Sequence, residues 1–181
     1  MRELPVLESE RLLLRPFSPA DAADVQRLAG DFAVADTTAS IPHPYEDGVA
    51  EAWIGKHQEL WETGQALCLA ITDGESGALR GAIGLMGFSV QHSHAEIGYW
   101  IGKPFWGQGY CTEALKVILR FGFVDLKLHR LFARCMKRNP ASARVMEKAG
   151  MRFEGCLREH IRRWDKPEDL LFYGALKREW K

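Results

Sequence analysis

The chain has no apolar run that approaches the roughly 20 residues needed to cross a membrane as a helix. No apolar stretch follows a basic N-terminus either, so we expect no secretory signal, no membrane partner and a cytoplasmic location. The cysteines lie far apart without a CxxC pair, which predicts free thiols and no disulfide or zinc framework. They are Cys68, Cys111, Cys135 and Cys156.

The six histidines are mostly isolated from one another along the chain. The only cluster is His92 with His94, and neither an HExxH pattern nor a third ligand accompanies it. A protein metal site usually needs three or four such ligands at set spacings. We therefore expect a turn at these histidines and no bound metal.

The composition is that of an ordinary globular protein, with 46% hydrophobic and 27% charged residues. The length predicts a single domain over residues 1–181 with one sizeable core. The net charge of zero conceals an asymmetry. Residues 1–102 hold six basic and 15 acidic side chains, whereas residues 103–181 hold 18 basic and nine acidic ones. Two explanations stay open: a basic half that binds an anionic ligand or nucleic acid, and two halves that neutralise each other.

Patterning predicts four helices and several short strands. Helices are expected from Ser18, from about Asp47, over residues 110–124, and from Asn139 to Ala149. Strands are expected at residues 12–17, 66–72, 79–88, 95–101, 131–137, 151–157 and 170–176. Short connections between the central strands indicate an antiparallel meander. The fold class is therefore α+β, with helices packed on a largely antiparallel sheet.

The segment WGQGYCT, residues 106–112, lies between a predicted strand and a predicted helix. Its two glycines allow a tight turn and close approach of a ligand. The helix start that follows offers unpaired N–H groups and a positive dipole end, which suit a phosphate. A plain helix-entry turn is the alternative. The lack of a GK[ST] motif excludes a Walker P-loop, and Thr112 stands where a dinucleotide fingerprint needs a third glycine.

Several segments, taken in order, resemble the GNAT N-acetyltransferases, and within them the branch of the ribosomal-protein-alanine N-acetyltransferases. They are LESERL at 7–12, AEIGYWI at 95–101, WGQGY at 106–110, TEA at 112–114, NPAS at 139–142, EKAGM at 147–151 and the close at 168–180. The resemblance covers nearly the whole chain. Two positions depart from the superfamily's loop pattern, because Trp106 replaces its Gln or Arg and Cys111 its final Gly or Ala.

The resemblance implies a GNAT fold whose central strands splay apart around acetyl-CoA, flanked by about four helices. Main-chain groups expected to pair with the pantetheine belong to Tyr99, Trp100 and Ile101. Amides expected to hold the pyrophosphate belong to Gly107, Gln108, Gly109, Tyr110, Cys111 and Thr112. Asn139 and Ser142 are expected to contact the cofactor. An anionic coenzyme then accounts for the basic second half in preference to nucleic acid.

Acyl transfer to an amine needs a base for the amine and an acid for the leaving thiolate. Glu96 matches a carboxylate that some GNAT enzymes use as general base, usually through water; a solvated or ion-paired strand residue is the alternative. Strand alternation places Glu96, Gly98 and Trp100 on one face, which we expect to look into the cleft.

Ser142 matches the candidate proton donor to the thiolate in this branch. Asn139 and Ser142 also form a helix-start signature in their own right, and the two roles are compatible. Tyr173 is the second candidate acid, and its place in a late strand predicts core packing as the alternative.

The acceptor is expected to be a primary amine. At pH ~7.4, freeing a neutral α-amine costs under ~1 kcal/mol, against roughly 4 kcal/mol for lysine, which favours the N-terminal amine of a protein. A small-molecule amine (amino acid, polyamine or antibiotic) and a non-catalytic acyl-CoA sensor are the alternatives. Residues 37–51 match the family's acceptor-side loop, so His43 and Tyr45 are candidate substrate contacts, with loop packing as the alternative. A homodimer is left open.

Overall fold

The computed structural model describes residues 3–180. Its strands are Leu7–Glu8 (β1), Leu12–Arg15 (β2), Ala66–Asp73 (β3), Leu79–Ser89 (β4), His94–Ile101 (β5), Arg130–Met136 (β6), Arg152–Arg163 (β7) and Lys166–Leu176 (β8). They form one sheet in the order β1-β2-β3-β4-β5-β6-β8-β7. Neighbouring strands are antiparallel except β5 and β6, which are parallel. The predicted, largely antiparallel sheet is confirmed.

The described residues contain six α-helical segments. They are Ala22–Ala29 (α1), Phe32–Asp36 (α2), Val49–Ile54 (α3), His57–Glu62 (α4), Tyr110–Arg120 (α5) and Pro140–Lys148 (α6). These occupy the four expected helical regions, because the first two regions are each divided by a short break. At the first break, a Cβ on Gly30 would lie 2.4 Å from the Gln26 carbonyl oxygen. Glycine is therefore required for the chain to turn from α1 into α2.

The sheet separates two layers of helices. Ala95 and Ile97 of β5 belong to the larger core, which also contains residues of α5 and α6. Trp100 packs into the smaller core on the opposite face, against residues of α1 and α3. The period-two alternation predicted for β5 is thereby confirmed.

The sheet opens between β5 and β6. The two strands pair for only four residues, from His94 with Arg130 to Ile97 with Ala133. Residues 98–101 then pair with β4 alone, in a register that runs from Gly98 opposite Gly84. The later halves of the two strands therefore diverge, as the resemblance implies.

The last hairpin is longer than the sequence predicts. β7 and β8 reach Arg163 and Lys166, although residues 158–169 are mostly charged and show no apolar alternation that would indicate strands. Trp164 and Asp165 connect them, both with positive φ. Arg163 and Trp164 at this tip contact the end of α2.

Buried His57 makes the stability of the fold depend on pH. The residue is 4% exposed, and neither ring nitrogen has a hydrogen-bond partner within residues 3–180. Burial lowers the pKa of its imidazole from 6.5 to about 4. The unfolded chain therefore takes up this proton first as pH falls. The free energy of unfolding should fall between about pH 6.5 and pH 4, by about 3 kcal/mol.

Replacing His57 with leucine should remove this acid-dependent loss, because the substitution deletes the titrating group from an apolar setting. Urea unfolding midpoints at pH 7 and pH 4.5 measure it. His160→Leu, at an exposed position, should keep the wild-type pH dependence. An unchanged acid slope in His57→Leu would place the responsible group elsewhere.

Candidate active site

The unpaired half of β5 is the first part of the site. Tyr99, Trp100 and Ile101 pair with β4 on one side, and their other edge faces the opening toward β6. An extended edge presents N–H and C=O groups that can pair with an extended, amide-containing ligand. These are the residues that the sequence assigns to pantetheine.

The glycine loop leads from β5 into α5. Gly107 and Gly109 have φ of 74° and 83°, which glycine adopts without strain. The first bond of the helix runs from the Glu113 amide to the Gly109 carbonyl oxygen at 3.1 Å. The amides of residues 110–112 therefore have no intrahelical partner. Residues 107–109 are exposed, so the loop and the helix dipole offer an accessible place for an anion.

The two departures from the family pattern have structural roles. The indole of Trp106 donates to the Ile101 carbonyl oxygen at 2.6 Å, which ties the start of the loop to the end of β5. Cys111 packs partly buried against the larger core. Burial raises the pKa of its thiol, so the side chain is a neutral packing group.

Ser142 meets Tyr99 across the opening. The Asn139 side chain accepts from the Ser142 amide at 3.2 Å and caps α6, as the sequence predicts. The Tyr99 hydroxyl lies 2.8 Å from Ser142 Oγ and 3.3 Å from the Ser142 carbonyl oxygen. Burial raises the pKa of Tyr99 well above its ordinary value, so its hydroxyl keeps its proton.

Tyr173 lies in the core and is engaged elsewhere. It is 4% exposed, and its hydroxyl donates to Glu147 Oε1 at 3.0 Å. Burial, together with the neighbouring Glu147 carboxylate, raises the pKa of Tyr173 to about 12. The hydroxyl is therefore a weak acid, and its proton is engaged in the hydrogen bond to Glu147. Both observations fit the core-packing interpretation.

Glu96 is ion-paired on β5. Its Oε1 accepts from Arg134 Nε at 2.6 Å, and its side chain keeps 18% exposure. Oε2 has no hydrogen bond to any of residues 3–180. The carboxylate is therefore held in place through one oxygen, and the other is available to accept from water or an amine.

The two candidate residues of the acceptor-side loop differ in their exposure. His43 is exposed, and its Nδ1 lies 3.1 Å from the Gly30 carbonyl oxygen. Tyr45 is half-buried and packs against the smaller core, and this burial raises its pKa. Loop packing accounts for Tyr45, whereas the His43 ring stays accessible beside Phe32.

Two arginines join the end of α2, and the loop that follows it, to the opposite wall of the opening. Arg138 bonds Asp36 at 2.7 Å and Glu168 at 2.6 Å. Arg163 is 8% exposed and donates to the carbonyl oxygens of Ala35, Ala39 and Ile41. The sequence did not single out either arginine, because their partners at residues 35–41 lie more than 100 residues away.

Charge neutralisation between the two halves is present but partial. Three ion pairs join an acidic residue of residues 1–102 to a basic residue of residues 103–181. They are Asp31 with Lys103, Glu96 with Arg134 and Asp36 with Arg138. Among the described residues, no group of three or more His, Cys, Asp or Glu side chains could hold a metal ion.

In the described part of the chain, no helix is both long and apolar enough to cross a membrane.

Comparison with known proteins gives a consistent assignment. A family model described as "Acetyltransferase (GNAT) domain" matches residues 11–152. N-acetyltransferase YnaD of Bacillus subtilis, which its name calls uncharacterized, is 30% identical over 174 residues, 96% of this chain and 98% of the relative. A ribosomal-protein-serine acetyltransferase of Escherichia coli is 32% identical over 82 residues, 45% of this chain and 46% of the relative. A solved GNAT-family acetyltransferase from Bacillus anthracis has a TM-score of 0.84 at 28% identity, with 96% of this chain and 99% of that chain covered. The chain therefore belongs to the GNAT family and is an N-acetyltransferase that uses acetyl-CoA.

Proposed function

We propose that this enzyme acetylates the N-terminal α-amine of a protein by direct attack of the amine on acetyl-CoA in a ternary complex. The observation that carries the proposal is the placement of Glu96 and Ser142 about the unpaired half of β5. Glu96 shares the β5 face of Trp100, toward α1 and α3, whereas Ser142 meets Tyr99 from α6 on the other face. A thioester along residues 98–101 would then have a base on one flank and an acid on the other.

Acetyl-CoA fits the main-chain groups around the opening. The free edge of Tyr99, Trp100 and Ile101 would take the pantetheine, and the amides of residues 107–112 the pyrophosphate. Asn139 would support the thioester end by fixing the start of α6. The net positive charge of residues 103–181 favours an anionic ligand on this half.

The cysteines near the opening favour direct transfer over an acetyl-enzyme. An acetyl-cysteine intermediate needs a thiolate nucleophile. Burial raises the pKa of Cys135 to about 11 and raises that of Cys111 as well. Neither thiol is ionised near neutral pH, so the attacking group is the amine of the acceptor.

Glu96 would take the proton that the attacking amine loses, through Oε2 and a water molecule. Arg134 fixes the carboxylate and leaves this oxygen unbonded within the described residues. As the C–S bond breaks, Ser142 would give its proton to the departing sulfur and recover one from solvent. Each proton released by the amine is thereby matched by one gained by the thiolate.

Tyr99 would orient Ser142 for this step. If the Tyr99 O–H donates to Ser142 Oγ over their 2.8 Å separation, the Ser142 proton is free to point at the sulfur. Tyr99→Phe should then lower kcat about tenfold, the equivalent of about one hydrogen bond, with KM for acetyl-CoA unchanged. Steady-state kinetics at saturating acceptor measure the split. A raised KM with normal kcat would assign Tyr99 to cofactor packing instead.

The acceptor assignment is supported by the amine's own acidity and by one relative. An α-amine is partly neutral near pH ~7.4 and needs little help from a base, whereas a lysine amine needs much more. Glu96 is the one carboxylate that the resemblance gives the site as a base. The Escherichia coli relative is named for acetylation of a ribosomal protein. Exposed His43 would contact the acceptor at the mouth of the cleft. Tyr45 would hold the acceptor-side loop in place by packing against the smaller core.

Release of coenzyme A thiol from acetyl-CoA tests the proposal across a panel of acceptors. The panel pairs peptides with free N-termini against the same peptides blocked at the N-terminus and carrying one lysine, and adds polyamines, amino acids and aminoglycosides. We expect turnover with the free N-termini alone. Turnover confined to a small amine would replace the acceptor, and no turnover with any amine despite tight acetyl-CoA binding would favour the acyl-CoA sensor.

A further inference from the structure

Arg11 connects the N-terminal strands to the first turn of α5. Its Nε donates to Glu113 Oε2 at 2.8 Å, and its backbone amide donates to Glu113 Oε1 at 2.9 Å. Ser9 Oγ donates to the same Oε1 at 2.8 Å. Arg11 and Glu113 stand 102 residues apart in sequence. The three hydrogen bonds therefore link two segments that only the folded chain brings together.

The same guanidinium reaches the glycine loop. Arg11 Nη1 donates to the Gln108 carbonyl oxygen at 3.2 Å. The guanidinium carbon lies 4.7 Å from the centre of the Tyr110 ring. Because a trans peptide directs its C=O and N–H in opposite directions, a Gln108 carbonyl turned toward Arg11 directs the Gly109 N–H away from it. Arg11 therefore fixes the direction of one of the amides assigned to the pyrophosphate.

The carboxylate of Glu113 lies in the first turn of α5, where it would repel an anion bound at the helix start. A carboxylate in the first turn stabilises a helix, but it repels a phosphate at the same end. Burial raises the pKa of Glu113, yet hydrogen bonds from Arg11 and Ser9 lower it overall, so the group stays anionic. The Arg11 guanidinium, 2.6 Å from Oε2, neutralises it.

We propose that Arg11 is a positioning residue for the pyrophosphate of acetyl-CoA, acting by turning the Gln108–Gly109 peptide and by neutralising Glu113. This proposal rests on the role proposed above for residues 107–112. Arg11 is 46% exposed on its side chain, and an exposed ion pair of this kind contributes little to folding. Its consequence is therefore expected in cofactor binding and not in stability.

Two acetyl donors separate this role from a structural one. Arg11→Met should raise KM for acetyl-CoA about tenfold, the equivalent of a lost charge-assisted hydrogen bond, with kcat unchanged at saturation. The kinetics with S-acetylpantetheine, which lacks the pyrophosphate, should not change. The control is Arg27→Met, which breaks the exposed Arg27–Asp24 pair of α1 and should leave both donors unaffected.

A double variant tests the neutralisation directly. Glu113→Gln in the Arg11→Met background should recover part of the affinity for acetyl-CoA, because the uncompensated negative charge is gone. A purely structural contact predicts the opposite, a further loss. Equal loss with both donors, no loss with either, or no recovery in the double variant would overturn the proposal. If Arg11→Met fails to fold, Arg11→Lys with the same two donors replaces it, with a smaller rise in KM expected for acetyl-CoA alone.

The outcome is separable from failure of the loop assignment itself. Gly109→Val disturbs the loop and keeps the charges of both Arg11 and Glu113, although its Cβ would lie 3.4 Å from Arg11 Nη2. Weak acetyl-CoA binding in Gly109→Val beside normal binding in Arg11→Met rejects the role of Arg11 only. Normal binding in both variants rejects the pyrophosphate site and the role of Arg11 together.

Discussion

Replacing Gly109 with valine is expected to weaken acetyl-CoA binding about 100-fold or more, while the free energy of unfolding falls by only about 1–2 kcal/mol. Gly109 has φ of 83°, and a Cβ there meets no described atom closer than Arg11 Nη2 at 3.4 Å. The protein itself can therefore accommodate the side chain, at the cost of backbone strain. A ligand held against the amides of residues 107–112 would be displaced by it.

Gly64→Val is the matched control for this strain. Gly64 also has positive φ, 69°, and a Cβ added there would meet nothing within 4 Å. It lies between α4 and β3, away from the loop. We expect a similar loss of stability in Gly64→Val with normal affinity. Calorimetric titration of each folded variant with acetyl-CoA, beside its urea midpoint, measures both quantities. Near-normal affinity in a destabilised Gly109→Val would reject the pyrophosphate assignment.

Glu96→Gln should lower kcat about 100-fold at neutral pH. Glutamine can still accept from Arg134 through its amide oxygen, so the side chain should keep its place on β5 while losing its capacity as a base. The deficit should shrink as pH rises, because more of the acceptor amine is then neutral without help. The pH profile of kcat for wild type and variant, taken with one peptide acceptor, measures this.

The control for Glu96 is a second ion-paired glutamate of the same sheet. Glu154 pairs with Arg130, outside the opening, and Glu154→Gln should leave kcat and its pH profile unchanged. A wild-type kcat in Glu96→Gln, with an unchanged pH profile, would show that Glu96 serves only as the ion-pair partner of Arg134.

Features set by short segments of sequence could be predicted. The alternation of β5 follows from its apolar pattern, and the cap of α6 follows from Asn139 and its following proline. The glycine loop likewise depends on residues next to each other in the chain. The family resemblance supplied the opening of the sheet, which no local pattern encodes.

Contacts between distant segments could not be predicted, because one sequence does not contain the distances between them. The Tyr99 hydroxyl meets Ser142 from a strand 43 residues earlier. Arg11 meets Glu113 across 102 residues, although both stand inside or beside segments that carry the resemblance. The tip of the β7–β8 hairpin is charged and largely exposed, so hydropathy gives no sign that Arg163 becomes buried there.

We infer that the opening between β5 and β6, with the glycine loop, binds acetyl-CoA through both its pantetheine and its pyrophosphate. Thermal unfolding with acetyl-CoA, ATP or NAD at equal concentrations tests it most directly. Acetyl-CoA at about 100 times its Kd should stabilise the protein by about 2.7 kcal/mol and raise Tm accordingly, with much smaller shifts for ATP and NAD. Equal shifts for ATP and acetyl-CoA would contradict pairing of β5 with the pantetheine and leave only a general phosphate site.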